Sequence, residues 1–201
     1  MKSMIVLCGG RGKRMGQDKG LMMVEKQPLI IQVLENAFDI ADEIVLVLRS
    51  REQRLAYECV LENQEFQEKV RICIDTMEDQ GPLMGIFTGL KCITSDHALV
   101  IPCDSPFIPL SFINNIFKYY NMIYDVVVPE WPVGKLEPLH AIYNKRITGQ
   151  IAAILKDGRR DVQSLLLDVD VRYVPVYSLD DTAQSFLNLN YPEDLDKNLI
   201  D

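Results

Sequence analysis

Short apolar runs rich in β-branched residues alternate with segments of helical period along the 201 residues, and this alternation narrows the possible folds more than any other feature. A strand buried on both faces reads as a near-continuous apolar run, whereas a strand with one wet face alternates. The runs predict strands at Met4–Cys8, Ile44–Leu48, Val70–Ile74, Ala98–Ile101 and Asp125–Pro129. The periodic segments between them predict helices at Leu29–Phe38, Glu52–Asn63, Leu83–Cys92 and Leu110–Tyr120. The last third is less regular, with helices near Lys145–Leu155 and Val162–Leu167 and a strand near Val171–Tyr177. A final helix should begin at Pro192, where Pro at the first helical position and Glu193 and Asp194 in the first turn suit a helix N-terminus. The pattern predicts a three-layer α/β arrangement around a mainly parallel central sheet. With no linker, repeat or low-complexity stretch, residues 1–201 are read as a single domain.

Bulk properties exclude several partner classes. A formal net charge of −8 argues against broad electrostatic binding of nucleic acid or of an anionic membrane. No apolar run reaches the ~18 residues that a spanning helix needs. The first run is read as a buried strand rather than a signal h-region. Cys8, Cys59, Cys73, Cys92 and Cys103 are scattered with no C-x-x-C pair, so Cys8, Cys73 and Cys103 are expected as buried reduced thiols. That usage points to a reducing, cytoplasmic setting.

In open parallel sheets, ligands sit beyond the carboxyl ends of the strands. Four unusual loops fall at such ends: Gly9–Lys19, Asp75–Gly85, Pro102–Pro109 and Glu130–His140. The first is the most telling. Arg11, Lys13, Arg14 and Lys19 stand there against the single anion Asp18, with Gly9, Gly10, Gly12 and Gly16 among them. Glycines let successive backbone N–H groups turn inward on phosphate oxygens. The loop is not a Walker A motif, because Leu7 stands where its first glycine would be and Arg14 where Ser or Thr would be. It is not a dinucleotide fingerprint, because Met15 occupies the third glycine position. A local cationic loop on an acidic chain suits a small polyanion.

The pattern Leu7-x-Gly9-Gly10-x-x-x-Arg14-Met15-Gly16-x-x-Lys19 resembles the nucleotide-binding signature of the molybdenum cofactor guanylyltransferases, a branch of the pyrophosphorylase-like nucleotidyltransferases. Four further segments resemble that family in order: Gly81-Pro82-Leu83-x-Gly85, Pro102-Cys103-Asp104-Ser105-Pro106-Phe107, Glu137-Pro138-Leu139-x-Ala141-x-Tyr143, and Phe186-x-Asn188-x-Asn190-x-Pro192-Glu193-Asp194. The resemblance implies a Rossmann-like nucleotidyltransferase fold whose N-terminal half binds nucleotide and whose C-terminal half binds the acceptor. It implies transfer of GMP from GTP to molybdenum-bound molybdopterin with Mg²⁺, releasing pyrophosphate. Other molybdenum cofactor biosynthesis proteins and acceptor dehydrogenases are the candidate protein partners.

The nucleophile of such a transfer is already an oxyanion, so the chemistry calls for alignment and charge neutralisation rather than a triad. By resemblance, Arg14 faces the departing phosphates, Lys19 reaches the nucleotide and the transferred phosphate, and Asp104 holds the metal. From the residues alone, Asp104 is either a turn aspartate bracketed by prolines or a carboxylate at a strand end where Mg²⁺ would sit. The resemblance places Leu7, Cys8, Gly9, Gly10, Asp75 and Gly81 around the nucleotide. It places Asn188 and Asn190, which alone read equally as turn formers, near the acceptor; Glu137, His140 and Arg160 are further acceptor candidates, with a solvated basic turn the plainer reading of Arg159-Arg160. Where family members carry asparagine after the second strand, this chain has Leu48-Arg49-Ser50. Two other readings stay open: a relative that uses another base or acceptor, such as cytidylyl transfer, and a non-catalytic nucleotide-binding subunit. Binding alone would need no metal-holding carboxylate, which favours an enzyme.

Overall fold

In the computed structural model, residues 1–9, 18–24, 26–62, 65–75 and 81–187 are described. The elements run β1 (Ser3–Leu7), β2 (Met23–Val24), β3 (Gln27–Pro28), α1 (Leu29–Phe38), β4 (Glu43–Leu48), α2 (Arg51–Leu61), β5 (Val70–Ile74) and α3 (Pro82–Cys92). They continue with β6 (His97–Pro102), α4 (Leu110–Tyr119), β7 (Val126–Glu130), β8 (Ile142–Asn144), α5 (Thr148–Lys156), α6 (Val162–Leu166), β9 (Val171–Pro175) and α7 (Val176–Leu179). Seven strands form one sheet in the order β5-β4-β1-β6-β8-β7-β9, and β2 and β3 form a small hairpin.

The alternation of side chains across the pleat divides the core in two. Met4, Val6, Ile44, Leu46, Leu48, Leu99 and Ile101 face one side, where they meet Ile30 and Leu34 of α1, Tyr57 of α2 and Phe112 of α4. Ile5, Val45, Val47, Ala98, Val100, Val126 and Val128 face the other, against Leu83 and Leu90 of α3, Ile151 of α5 and Leu165 of α6. Both faces of the central strands are therefore dry, which explains their unbroken apolar runs. The three-layer, mainly parallel α/β fold expected from the sequence is what forms.

The differences are local. β8 pairs antiparallel with both β6 and β7, so the sheet is mixed. Its three residues, Ile142, Tyr143 and Asn144, are too few to show a period. The helix expected from Lys145 begins as a 3-10 turn at Lys145–Ile147, with α5 starting at Thr148. The strand expected to Tyr177 stops at Pro175, whose extended backbone caps the short α7. The expected helix from Pro192 lies outside the described residues.

One reading is corrected. Cys73 is not a free thiol: it is joined to Cys92, with Cα atoms 6.8 Å apart, because the end of α3 packs beside β5. A separation of 19 residues gave the sequence no sign of the pairing. Cys8 and Cys103 are free and buried, as expected, and Cys59 is free and exposed.

Candidate active site

The sheet order reverses at β1. The chain moves outward from β1 through β4 to β5, then returns to β6 on the other flank of β1. Such a reversal leaves a crevice above the carboxyl ends of the two flanking strands. Backbone bonds carry the ladder just past the strands: Cys8 N–H donates to Val47 O (2.9 Å), Cys103 N–H to Leu7 O (3.1 Å) and Asp75 N–H to Leu48 O (2.7 Å). The loops therefore leave the sheet at nearly one level. Above them is a cavity of about 850 Å³, to which all four loops singled out in the sequence contribute.

On the β1 side, Leu7, Cys8, Gly9 and Lys19 line the cavity, with Asp75, Gly81, Pro82 and Gly85 opposite. A Cβ added to Gly9 would stand 3.7 Å from Asp75 Oδ2, so backbone and carboxyl approach closely. Asp75 Oδ1 is buried with no hydrogen-bond partner among the described residues. Burial raises the Asp75 pKa. Gly81 holds φ at 75° as the N-cap of α3, a conformation that disfavours any side chain, and Pro82 follows at the first helical position. An added Cβ at Gly81 would also lie 3.1 Å from Arg160 O.

Asp104 follows β6, and its Oδ2 pairs with Lys19 Nζ at 2.7 Å. Beyond it, the loop before β8 supplies Glu137, Pro138, Leu139 and His140, and exposed Arg160 closes that side. Glu137 Oε1 accepts from Trp131 Nε1 (2.7 Å) and pairs with Lys135 Nζ (2.7 Å), which fixes the carboxylate. His140 is fully buried, with Nε2 3.1 Å from Ser105 Oγ and Nδ1 unpartnered among the described residues. Burial lowers its pKa to about 4, against the opposing pull of Glu137 and Asp104. The imidazole is neutral at neutral pH.

The structure thus brings together Leu7, Cys8, Gly9, Lys19, Asp75, Gly81, Asp104, Glu137, His140 and Arg160. Gly10, Arg14, Asn188 and Asn190 lie outside the described residues. Sequence reasoning gave no role to Arg49, Gln53, Ser105 or Asp18. Arg49 lines the cavity from the end of β4. Gln53 signalled itself as a polar member of the buried stripe Gln53, Tyr57, Leu61 on α2, spaced i, i+4, i+8.

Asp104 fits a hard divalent cation. Its carboxylate already holds a cationic group at 2.7 Å, and Mg²⁺ asks for one or two carboxylates beside substrate oxygens and water. A cavity of this size, lined by a cation–carboxylate pair, by the buried, neutral His140 and by Glu137 and Arg160, can align two charged substrates for phosphoryl chemistry.

Comparison with known proteins agrees. Residues 4–171 match the MobA-like NTP transferase domain. A protein named probable molybdenum cofactor guanylyltransferase from Methanothermobacter thermautotrophicus is 37% identical over 198 residues, covering 97% of this chain and 98% of that protein. Another of that name, from Methanosarcina mazei, is 34% identical over 200 residues, covering 97% and 88%. Among solved structures, molybdopterin-guanine dinucleotide biosynthesis protein A from Archaeoglobus fulgidus superposes with a TM-score of 0.80 at 25% identity, over 97% of this chain and 95% of that one. A nucleotidyl transferase from Methanothermobacter thermautotrophicus shares the fold, with a TM-score of 0.72 at 16% identity over 98% and 95% of the chains. The glycine-rich loop and the strand-end carboxylate both lie within the matched residues 4–171, and the chain belongs to the MobA-like NTP transferase family.

Proposed function

We propose that this chain transfers GMP from GTP to the terminal phosphate of molybdenum-bound molybdopterin, forming the guanine dinucleotide cofactor and pyrophosphate. The observation that carries the reading is the Lys19–Asp104 pair at the floor of the cavity, in a chain 37% identical to a protein named as such a guanylyltransferase. An acceptor phosphate oxygen forms a bond to the α-phosphorus, and the bond from that phosphorus to the bridging oxygen of pyrophosphate breaks. Lys19 holds the nucleotide's transferred phosphate, and Arg14 takes the departing phosphates. Gly9, Gly10 and Gly81 let the backbone approach the nucleoside, with Asp75 and Arg49 on the same side. Glu137, His140 and Arg160, together with Asn188 and Asn190, receive the acceptor. Asp104 would hold Mg²⁺, which when bound neutralises charge on the reacting phosphates.

On this reading residues 1–201 are one nucleotidyltransferase domain, nucleotide-binding in its first half and acceptor-binding in its second. The Cys73–Cys92 pair removes the thiol usage that pointed to a reducing setting, and the cytoplasm rests instead on the likeness to cofactor-biosynthesis proteins. Among the described residues no helix is long and apolar enough to cross a membrane. Other molybdenum cofactor biosynthesis proteins and acceptor dehydrogenases are its partners in handing on the product. The test is pyrophosphate release from GTP with and without purified molybdopterin. Release that does not depend on molybdopterin would refute the acceptor assignment.

A further inference from the structure

We propose that Asp18, Gln53 and Tyr57 form a positioning clamp that sets where Lys19 stands over the cavity floor. The inference rests on Lys19 acting on the nucleotide, as read above. A single side chain, Gln53, joins three points at the carboxyl edge of the sheet. Its Nε2 donates to Cys8 O (2.8 Å) and to Asp18 Oδ2, while its Oε1 accepts from Arg49 N–H (2.7 Å). The residue that leaves β1 and the residue that precedes Lys19 are thus held by one amide. Asp18 Oδ1 in turn accepts from Tyr57 Oη (2.9 Å) and from Gly20 N–H (3.0 Å), which caps the 3-10 turn Lys19–Leu21.

An apolar side chain of similar volume would complete the buried stripe of α2 at lower desolvation cost than a glutamine. The amide instead satisfies groups that all sit at the edge of the cavity. Tyr57 is fully buried, and burial keeps its phenol protonated, a standing donor to Asp18. Gly20 closes over that hydroxyl so tightly that an added Cβ would stand 2.1 Å from Tyr57 Oη. A lysine reaches through a flexible four-carbon stem, so the fixed position of its backbone decides where its ammonium can go. Here that ammonium lies 2.7 Å from Asp104 Oδ2.

The test is a double-mutant cycle. Tyr57→Phe and Gln53→Met are made alone and with Lys19→Ala, and kcat/KM for GTP, GTP affinity by calorimetry and thermal midpoints are measured. Tyr57→Phe should lower kcat/KM and GTP affinity roughly 5- to 10-fold, the scale of one hydrogen bond, but less than about 2-fold when Lys19 is already alanine. Thermal destabilisation should be the same in both backgrounds. Equal losses of activity in both backgrounds, or no loss in either, overturn the clamp while leaving Lys19's role intact. Full activity of Lys19→Ala alone overturns the role of Lys19, and the clamp falls with it. Should Gln53→Met fail to fold, Tyr57→Phe decides by itself, since its ring and packing remain.

Discussion

Lys19 Nζ and Asp104 Oδ2 meet at 2.7 Å although 85 residues separate them. Strand register supplies one half of the meeting: β1 and β6 are parallel neighbours with Leu7 opposite Pro102, so Asp104, two residues beyond β6, stands at the carboxyl edge of the sheet. One group ends the cationic loop proposed to face the nucleotide, and the other is the carboxylate proposed to hold a metal. Neither is deeply buried, with side-chain exposures of 36% and 16%, so both remain within reach of substrate.

Asp104→Asn keeps the shape of this floor and removes its negative charge. We expect transfer to fall by more than about 100-fold, the scale of losing one group that stabilises developing charge. The thermal midpoint should stay close to that of the parent. Pyrophosphate release across a magnesium titration measures both the loss and any shift in metal requirement. Undiminished turnover at ordinary magnesium would remove Asp104 from the metal role.

The cationic loop makes a graded prediction. Lys19→Ala and Arg14→Ala should each weaken GTP binding and slow transfer, while Arg11→Ala should do much less. Should Arg11 prove the costliest of the three, the register assigned to residues 9–19 would be wrong.

Base choice is the third. Guanine offers an acceptor carbonyl beside N1–H and amino donors, and a site that pairs those groups leaves them unmet with adenine or cytosine. Each buried unmet group costs about 1–3 kcal/mol, so two mismatches should reject the wrong base by roughly 100-fold. GTP should therefore outrun ATP, CTP and UTP in molybdopterin-dependent pyrophosphate release. Equal turnover with CTP would leave the transferase standing and discard guanylyl specificity.

His140 gives a stability prediction with a definite sign. Its folded pKa is about 4, against an ordinary value of 6.5, because burial penalises the imidazolium. Between those values the unfolded chain binds a proton that the folded chain refuses, so stability falls as pH drops from 6.5 toward 4. The contribution lost is up to about 3 kcal/mol. Urea midpoints at pH 7 and pH 4.5 should differ less in His140→Phe than in the parent. An unchanged difference would mean that other groups carry the acid sensitivity.

Much of this architecture was legible because the apolar runs are long and dry on both faces. β5 and α1 appear at the bounds their patterns dictate, and the main neighbours differ by a residue or two at their ends. That the loops holding Lys19 and Asp104 would border one cavity was legible, because each follows an apolar run that forms a parallel strand. β8 was not, since three residues carry no period, and neither was the Cys73–Cys92 pair, since nothing local links the two positions. Gln53 and Tyr57 were read only as part of a helix. Their partners at Cys8, Arg49 and Asp18 come together through the parallel pairing of β1 with β4, a tertiary fact that the spacing within α2 does not contain.

The reversed strand β8 has a consequence for how such a site can diversify. Because β7 and β8 run antiparallel, the chain passes between them by a direct return at the top of the sheet, with no crossover helix to thread. Residues 131–141 form that return, and Glu137 and His140 are delivered on it. Lengthening a flexible return costs only about 0.6 kcal/mol per doubling. The strands β4, β5 and β6 are instead each followed by a helix packed on the sheet, α2, α3 and α4. On the proposed assignment, the acceptor's wall can be recut by insertion or substitution while the segments after β1 and β6 stay in register, so that one scaffold can exchange acceptors without relearning how to hold its donor.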